Sequence, residues 1–246
     1  MSTKIEWTDE TINPITGCTP VSESCENCYA ANTAKRFWGH RKFSDIQFHP
    51  EKLSQFLKWS ANPKRIFINS MSDLFHENVK DKWIGMIIGH IAKAHWNTFI
   101  ILTKRPERAL EFCYGIAHYP RGNELEKPVS GLPPNLYLGV TAENQKRAEE
   151  RIPILLQIPA AVRFVSVEPM LEQMNIMDIE VPKSYGLDWV ICGAETGPGA
   201  RIMKEEWAIS LYNQCMEFEI PFFFKKPSKT SNLIMPRQYP KFKKKP

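Results

Sequence analysis

Thr98-Phe99-Ile100-Ile101-Leu102, followed after Thr103-Lys104-Arg105 by Pro106-Glu107-Arg108-Ala109-Leu110-Glu111-Phe112-Cys113-Tyr114, is the stretch from which the fold can be read. A short apolar run rich in β-branched and aromatic residues predicts a strand, and a proline opening an amphipathic pattern predicts a helix start. The same unit recurs along the chain. Runs at 65–69, 136–140, 162–167, 189–192 and 221–224 read as strands, and patterns at 80–95, 143–157 and 204–218 read as helices. Upstream, 12–15 reads as a weak strand, 29–38 as a helix and 50–57 as an amphipathic segment with Pro50 at a helix start. Strands alternating with helices imply right-handed crossovers and a parallel sheet. Strands apolar through their length imply a sheet covered on both faces or closed on itself. About six such units make an α/β fold that fits a partial (β/α) barrel of parallel strands; a doubly wound sheet satisfies the same periodicity.

The chain has 246 residues, 43% of them apolar, which suits one large domain with a core. The start has no apolar run of the signal-peptide kind, and no stretch of eighteen apolar residues offers a membrane span. A cytoplasmic protein with no membrane partner is expected. The insertions at 115–134 and 171–186 read as surface excursions able to cover a substrate.

Three of the six cysteines fall within the eleven residues from Cys18 to Cys28, in Gly17-Cys18-Thr19-Pro20-Val21-Ser22-Glu23-Ser24-Cys25-Glu26-Asn27-Cys28-Tyr29. Thiolates select soft centres, zinc or iron–sulfur, over oxygen-liking cations. Clustering in a chain without secretory features argues for metal ligation rather than a disulfide framework. A closed zinc site needs a fourth ligand, which His40 or His49 could supply. A [4Fe-4S] cluster held by Cys18, Cys25 and Cys28 instead leaves one iron open to a small molecule. Cys113, Cys192 and Cys215 lie in apolar surroundings and read as buried structural thiols.

At this point the chain resembles the radical S-adenosylmethionine superfamily. Glu6-Trp7-Thr8, Asn13-Pro14-Ile15-Thr16-Gly17-Cys18, Asn69-Ser70-Met71-Ser72-Asp73-Leu74-Phe75-His76, Leu102-Thr103-Lys104-Arg105-Pro106-Glu107-Arg108, Leu138-Gly139-Val140-Thr141-Ala142-Glu143-Asn144-Gln145, Ser166-Val167-Glu168-Pro169 and Gly193-Ala194-Glu195-Thr196-Gly197-Pro198-Gly199 are together similar to a phage-encoded, largely uncharacterised branch of it. The match runs in order over most of the chain. It departs from the superfamily's usual cysteine spacing of three residues then two: six separate Cys18 from Cys25 before the two-residue gap to Cys28. The usual aromatic before the last cysteine is replaced by Asn27, with Tyr29 after it.

The resemblance favours the barrel and implies a [4Fe-4S] cluster on Cys18, Cys25 and Cys28 with S-adenosyl-L-methionine as cofactor. It also implies an external one-electron donor and cleavage to a 5′-deoxyadenosyl radical that abstracts hydrogen from substrate. Carried over by position, Ser70, Ser72 and Asp73 fall near the methionine end, and Thr141, Glu143, Ser166 and Glu168 nearer the ribose. Lys104 would meet the methionine carboxylate or a substrate phosphate.

In barrels, chemistry collects at the C-terminal ends of strands. There this sequence carries Asn69, Ser70, Ser72, Asp73, Thr103, Lys104, Arg105, Thr141, Glu143, Asn144, Ser166, Glu168, Glu195, Thr196 and Lys225. Several have plainer readings. Asp73 and Thr141 serve as helix caps, Glu143 favours a helix N-terminus, and Arg105 pairs with Glu107 or another acid. Glu168 differs because Pro169 keeps the chain out of a helix and holds the carboxylate at the mouth. Glu195 sits in a glycine-rich turn that allows close backbone approach. Lys104, Glu168 and Glu195 are the candidate catalytic residues. His76 is a packing or substrate group, and His40 an exposed one.

Charge is segregated: residues 1–224 carry 24 Lys and Arg against 27 Asp and Glu, and 225–246 carry eight basic residues and no acid. The boundary is set at 226, with a partial barrel before it and a basic Pro/Lys-rich tail at 227–246. Basic residues interleaved with aromatics such as Tyr239 suit a nucleic-acid backbone. With the phage-like kinship, this gives a nucleic-acid or nucleotide substrate, a modified base undergoing rearrangement or lyase chemistry. A non-enzymatic zinc-stabilised nucleic-acid-binding or adaptor protein is the contrasting reading.

Overall fold

The computed structural model describes residues 5–118, 131–177, 179, 186–227 and 231–240. Its elements in chain order are β1 (Glu10–Ile12), β2 (Ile15–Thr16), α1 (Tyr29–Phe37), β3 (Gln47–Phe48), β4 (Arg65–Ile68), α2 (Asp81–Lys93), β5 (Thr98–Thr103), α3 (Pro106–His118), β6 (Leu136–Thr141), α4 (Gln145–Gln157), β7 (Val162–Val167), β8 (Trp189–Cys192), α5 (Glu205–Glu217) and β9 (Phe222–Phe224). Seven strands form one parallel sheet in the order β1-β4-β5-β6-β7-β8-β9. Each new strand adds on the same side, so the sheet is singly wound and curls into a half-barrel. The doubly wound alternative is excluded by this order.

Period-two alternation along the strands divides the apolar residues between two cores. Ile66, Ile68, Phe99, Ile101, Leu138, Val140, Val165, Val190 and Phe222 face the helices. Phe67, Ile100, Tyr137, Phe164, Trp189, Ile191 and Phe223 face inward, where Trp7 joins them. Burying an apolar side chain of this size stabilises by about 1.5–3 kcal/mol relative to exposure. The inward row therefore fixes the half-barrel's curvature as firmly as the helices fix its outside. Followed two residues further, the same row turns polar: Phe67 leads to Asn69, Phe164 to Ser166 and Phe223 to Lys225.

Two local expectations change. The single strand at 12–15 is two, because Pro14 has no donor and Asn13 turns its side chain to Met71 N (3.0 Å) and Ser70 Oγ (3.2 Å). β2 then pairs antiparallel with β3 in a separate two-stranded sheet. The helix expected at 50–57 is a 3-10 helix, Pro50–Leu57.

Past the boundary set at 226, residues 236–239 return to the body. Phe224 N donates to Pro236 O (2.9 Å), Gln238 N to Phe222 O (2.9 Å) and Trp189 Nε1 to Gln238 O (2.9 Å). Tyr239 packs against Trp189 and Phe223 at centroid distances of 5.7 and 5.3 Å, and the Arg65 guanidinium lies 4.0 Å from its ring. Arg237 pairs with Glu6 from the other end of the chain. Tyr239 is thus half-buried, its ring engaged by Trp189, Phe223 and Arg65 rather than free on the surface. Lys229 and the lysines at 241–245 lie outside the described residues, as do most of the insertions at 115–134 and 171–186. No helix among the described residues is long and apolar enough to cross a membrane.

Candidate functional site

The cysteine loop runs from β2 to α1 across the C-terminal ends of the parallel strands. Gly17, at φ +101°, turns the chain into it, with Gly17 N donating to Met71 O (2.9 Å). Cys18 N donates to Phe43 O (2.8 Å), a 3-10 turn spans Glu23–Cys25, and Cys28 is the N-cap of α1. Cys18, Cys25 and Cys28 all line one cavity of ≈ 240 Å³, whose floor is Trp7, Phe67 and Leu102. Asn69, Ser70, Ser72, Asp73, Lys104, Thr141, Ser166, Glu168, Glu195 and Lys225 line it too. Of the strand-end residues expected there, Glu143 and Asn144 do not; Asn144 caps α4, its side chain accepting Arg147 N (2.9 Å).

Glu143 has another task. It is fully buried, forms an ion pair with Arg151 (3.0 Å) and accepts Ser24 N from the cysteine loop (3.2 Å). Burial would raise its carboxyl, yet the Ser22 side chain, Arg151 and Ser24 N hold it below the usual range. Glu195 lines the cavity but is committed in the same way, to Arg201 (2.5 Å) and Asn27 (3.0 Å). Against burial, Arg201 and Asn27 hold it below the usual carboxylate range. Arg147 binds Glu23 (3.1 Å) and Arg201 binds Glu26 (3.0 Å), so ion pairs from two directions pin the loop.

Asp73 is a hub rather than a helix cap. It accepts from Thr103 Oγ1 (2.7 Å), Lys104 N (3.0 Å) and Phe75 N (3.0 Å), and pairs with Arg105 (3.2 Å). Arg105, expected to meet Glu107 or another acid, bridges Asp73 and Glu77 and donates to Cys18 Sγ (3.7 Å). That cation opposes, without overcoming, the burial and the Asp73 charge that raise the Cys18 thiol. His76 is buried; its Nδ1 accepts Asn78 N (3.1 Å), which leaves Nε2 to donate to Thr19 Oγ1 (2.8 Å).

The groups left to meet a ligand are fewer. Glu168, joined to Pro169 by a cis peptide, accepts from Trp7 Nε1 (3.3 Å) and Ser166 Oγ (3.3 Å), and Lys225 Nζ lies 3.2 Å from its other oxygen. Gly193 makes room for it: a Cβ there would lie 2.7 Å from Glu168 Oε1. Lys104 Nζ forms no ion pair among the described residues. Asn69, 3% exposed at φ 65°, accepts Ile15 N at its Oδ1 (3.1 Å), while its Nδ2 has no partner among the described residues. Trp7, Arg201, Arg147 and Arg151 carried no sequence signal of their role; Trp7 stood only within a quoted motif.

Among the described residues, no three His, Cys, Asp or Glu converge closely enough to hold a single metal ion. A cluster carries its irons at separate corners, so its thiolates need not converge on one point. Three thiols and no imidazole in the lining, with a guanidinium on one thiol, form a donor set that fits such a group. The other cysteines stand apart: burial pushes Cys113 and Cys215 up to about 12 and Cys192 well above its ordinary value. Iodoacetamide on the folded, metal-free chain should therefore alkylate Cys25 and Cys28 first. Cys18, pushed up to about 11 by burial, should follow, and Cys192 and Cys215 should react only after unfolding. Peptide mass spectrometry reads the order; early loss of Cys192 would contradict it.

The family described as "Protein of unknown function (DUF5131)" has a model that matches residues 2–242. The chain belongs to this family. No curated protein and no solved structure matches the chain. The DUF5131 match spans the half-barrel, the cysteine loop and the returning segment at 231–240, so these share one family unit.

Proposed function

We propose that this chain is a radical S-adenosylmethionine enzyme acting on a nucleic-acid or nucleotide substrate. The observation that carries the reading is that Cys18, Cys25 and Cys28 share one cavity, at the strand ends of a parallel half-barrel, with Ser70, Ser72, Thr141, Ser166 and Glu168. The three thiolates would hold a [4Fe-4S] cluster. When bound, that cluster and S-adenosylmethionine supply a 5′-deoxyadenosyl radical for hydrogen abstraction, with the electron coming from an external donor.

The chain's own residues account for the rest. Arg105 donates to Cys18 Sγ and keeps a positive charge against it. Trp7, Phe67 and Leu102 give an apolar floor that excludes water. Asn69 Nδ2 and Lys104 Nζ offer donors to a carboxylate or phosphate, and Glu168 offers an acceptor to hydroxyl or amino groups. A rearrangement or lyase outcome is the matching reaction class, in a reducing cytoplasm that preserves thiolates.

The test is anaerobic reconstitution with iron and sulfide, dithionite reduction, and electron paramagnetic resonance with and without S-adenosylmethionine. The expected result is a reduced-cluster signal that changes on adding the cofactor and is lost in Cys25→Ala. Purified chain holding about one zinc and no sulfide would replace this reading with the non-enzymatic one.

A further inference from the structure

We infer that the surface from Lys35 to Phe43, at the rim of the cysteine cavity, is a binding site for single-stranded nucleic acid. Residues 29–44 carry Lys35, Arg36, Arg41, Lys42 and His40 without one acidic residue, in a chain whose first 224 residues are net acidic. Four aromatics are interleaved with them: Tyr29, Phe37, Trp38 and Phe43. Basic groups that track a phosphate backbone, alternating with rings on which bases stack, are what single-strand binding requires.

The fold presents these residues outward. Phe37 is 69% exposed and Tyr29 51%, although a buried alternative would stabilise both rings. Lys35, Arg36, His40 and Lys42 are exposed as well. Guanidinium groups already stand over two rings, Arg36 at 5.2 Å from Phe37 and Arg41 at 4.1 Å from Trp38, and Trp38 lies 5.6 Å from Phe43. Arg41, half-buried like Trp38 and Phe43, is structural: it holds Thr16 O (3.1 Å) and Asp45 O (2.6 Å) and forms an ion pair with the Asp45 carboxylate (3.3 Å), so the phosphate-binding charge rests on Lys35, Arg36 and Lys42.

Position connects the patch to chemistry. The chain leaves the cavity through α1 and comes back at Phe43, whose carbonyl accepts Cys18 N. Tyr29, Ala30, Ala31 and Phe43 line the cavity itself. A strand laid across Lys35–Lys42 would therefore reach the rim, where an unstacked base could turn into the recess. Enzymes that act on a base need it out of the stack, so single-stranded substrate fits a recessed site better than duplex does. This deepens the proposed function by moving nucleic-acid recognition from the tail, whose Tyr239 packs on Trp189 and Phe223, to the cavity rim. It relies on that proposal only for the chemistry inside the cavity.

Fluorescence anisotropy of the full chain with a labelled single-stranded oligonucleotide, over a series of salt concentrations, tests it. Lys35→Gln/Arg36→Gln/Lys42→Gln should weaken binding at least about tenfold and flatten the log–log salt slope by about 2, as expected for three lost phosphate contacts on a single strand. Phe37→Ala should weaken it about tenfold through lost stacking. Glutamine at Lys241, Lys243, Lys244 and Lys245 should leave most of the affinity. Wild-type-like binding by both rim variants, no binding by wild type, or loss of binding through the tail variant alone would overturn the inference. So would equal affinity for duplex, or for polyglutamate with no effect of Phe37→Ala, which would point to an acidic protein partner. Cluster loading of the rim variants separates the two claims. Rim-dependent binding without any cluster signal in wild type would sink the proposed function and leave this surface standing.

Discussion

Gly17→Ala will free the cysteine loop from the sheet while most of the half-barrel stays folded and, under the function proposed above, will abolish cluster loading. At φ +101° a non-glycine residue is strained by about 1–3 kcal/mol. Space adds to that: a Cβ at Gly17 would lie 2.4 Å from Asp45 O, a backbone atom that Arg41 fixes in place. Neither can relax without breaking Gly17 N to Met71 O or Cys18 N to Phe43 O, the bonds that seat Cys18 at the cavity. Iron and sulfide per chain after reconstitution should fall to background, with far-ultraviolet circular dichroism nearly unchanged. Normal iron content in the variant would mean that this turn does not set the geometry of the thiols.

Glu143→Ala should cost more stability than any other change at the strand ends. Its carboxylate is 0% exposed and Arg151 only 5%, so the substitution leaves a buried cation unpaired. Breaking such a pair destabilises by about 3–5 kcal/mol. At about 2–4 °C per kcal/mol for a chain of this size, that is a fall of roughly 6–20 °C in Tm. The sign of the pH dependence follows from the same site. The folded carboxyl is held below its ordinary value of 4.5, so its stabilisation is present above that value and is lost as pH falls through the depressed folded pKa. Thermal melts of wild type and Glu143→Gln between neutral and acid pH should converge on acidification. Parallel curves would show that the pair contributes no linked stability.

Glu143 also marks where sequence reasoning stops. The strands at 162–167 and 189–192 are found at the residues expected, and 98–102 and 136–140 each extend by one residue, because local period and apolar composition specify a strand without reference to its neighbours. The strand-end polar ring was legible for the same reason, since a parallel sheet brings its C-terminal ends together. Direction of side chains within that ring was not. Glu143 and Glu168 both follow apolar strands, yet Glu143 turns to Arg151 and Ser24 behind the loop, while Glu168 faces the cavity over Gly193. The difference lies in partners 8 to 119 residues away, which no local pattern encodes. Tyr239 was misread for a related cause: in sequence it borders lysines, but Trp189 and Arg65 decide where its ring goes.

The pairing of Phe223 with Arg237 carries one more consequence. A half-barrel, unlike a closed one, ends in two strand edges, and an unpaired edge is a template for another chain. The last strand of this sheet is Phe222-Phe223-Phe224, three phenylalanines in a row, which is among the most adhesive edges a sequence can offer. Residues 236–238 cap it with antiparallel backbone bonds, and Arg237 brings a charge to the rim of that cap. Shortening the chain before Pro236 would expose that strand edge, so residues 236–238 guard the sheet against edge-to-edge association.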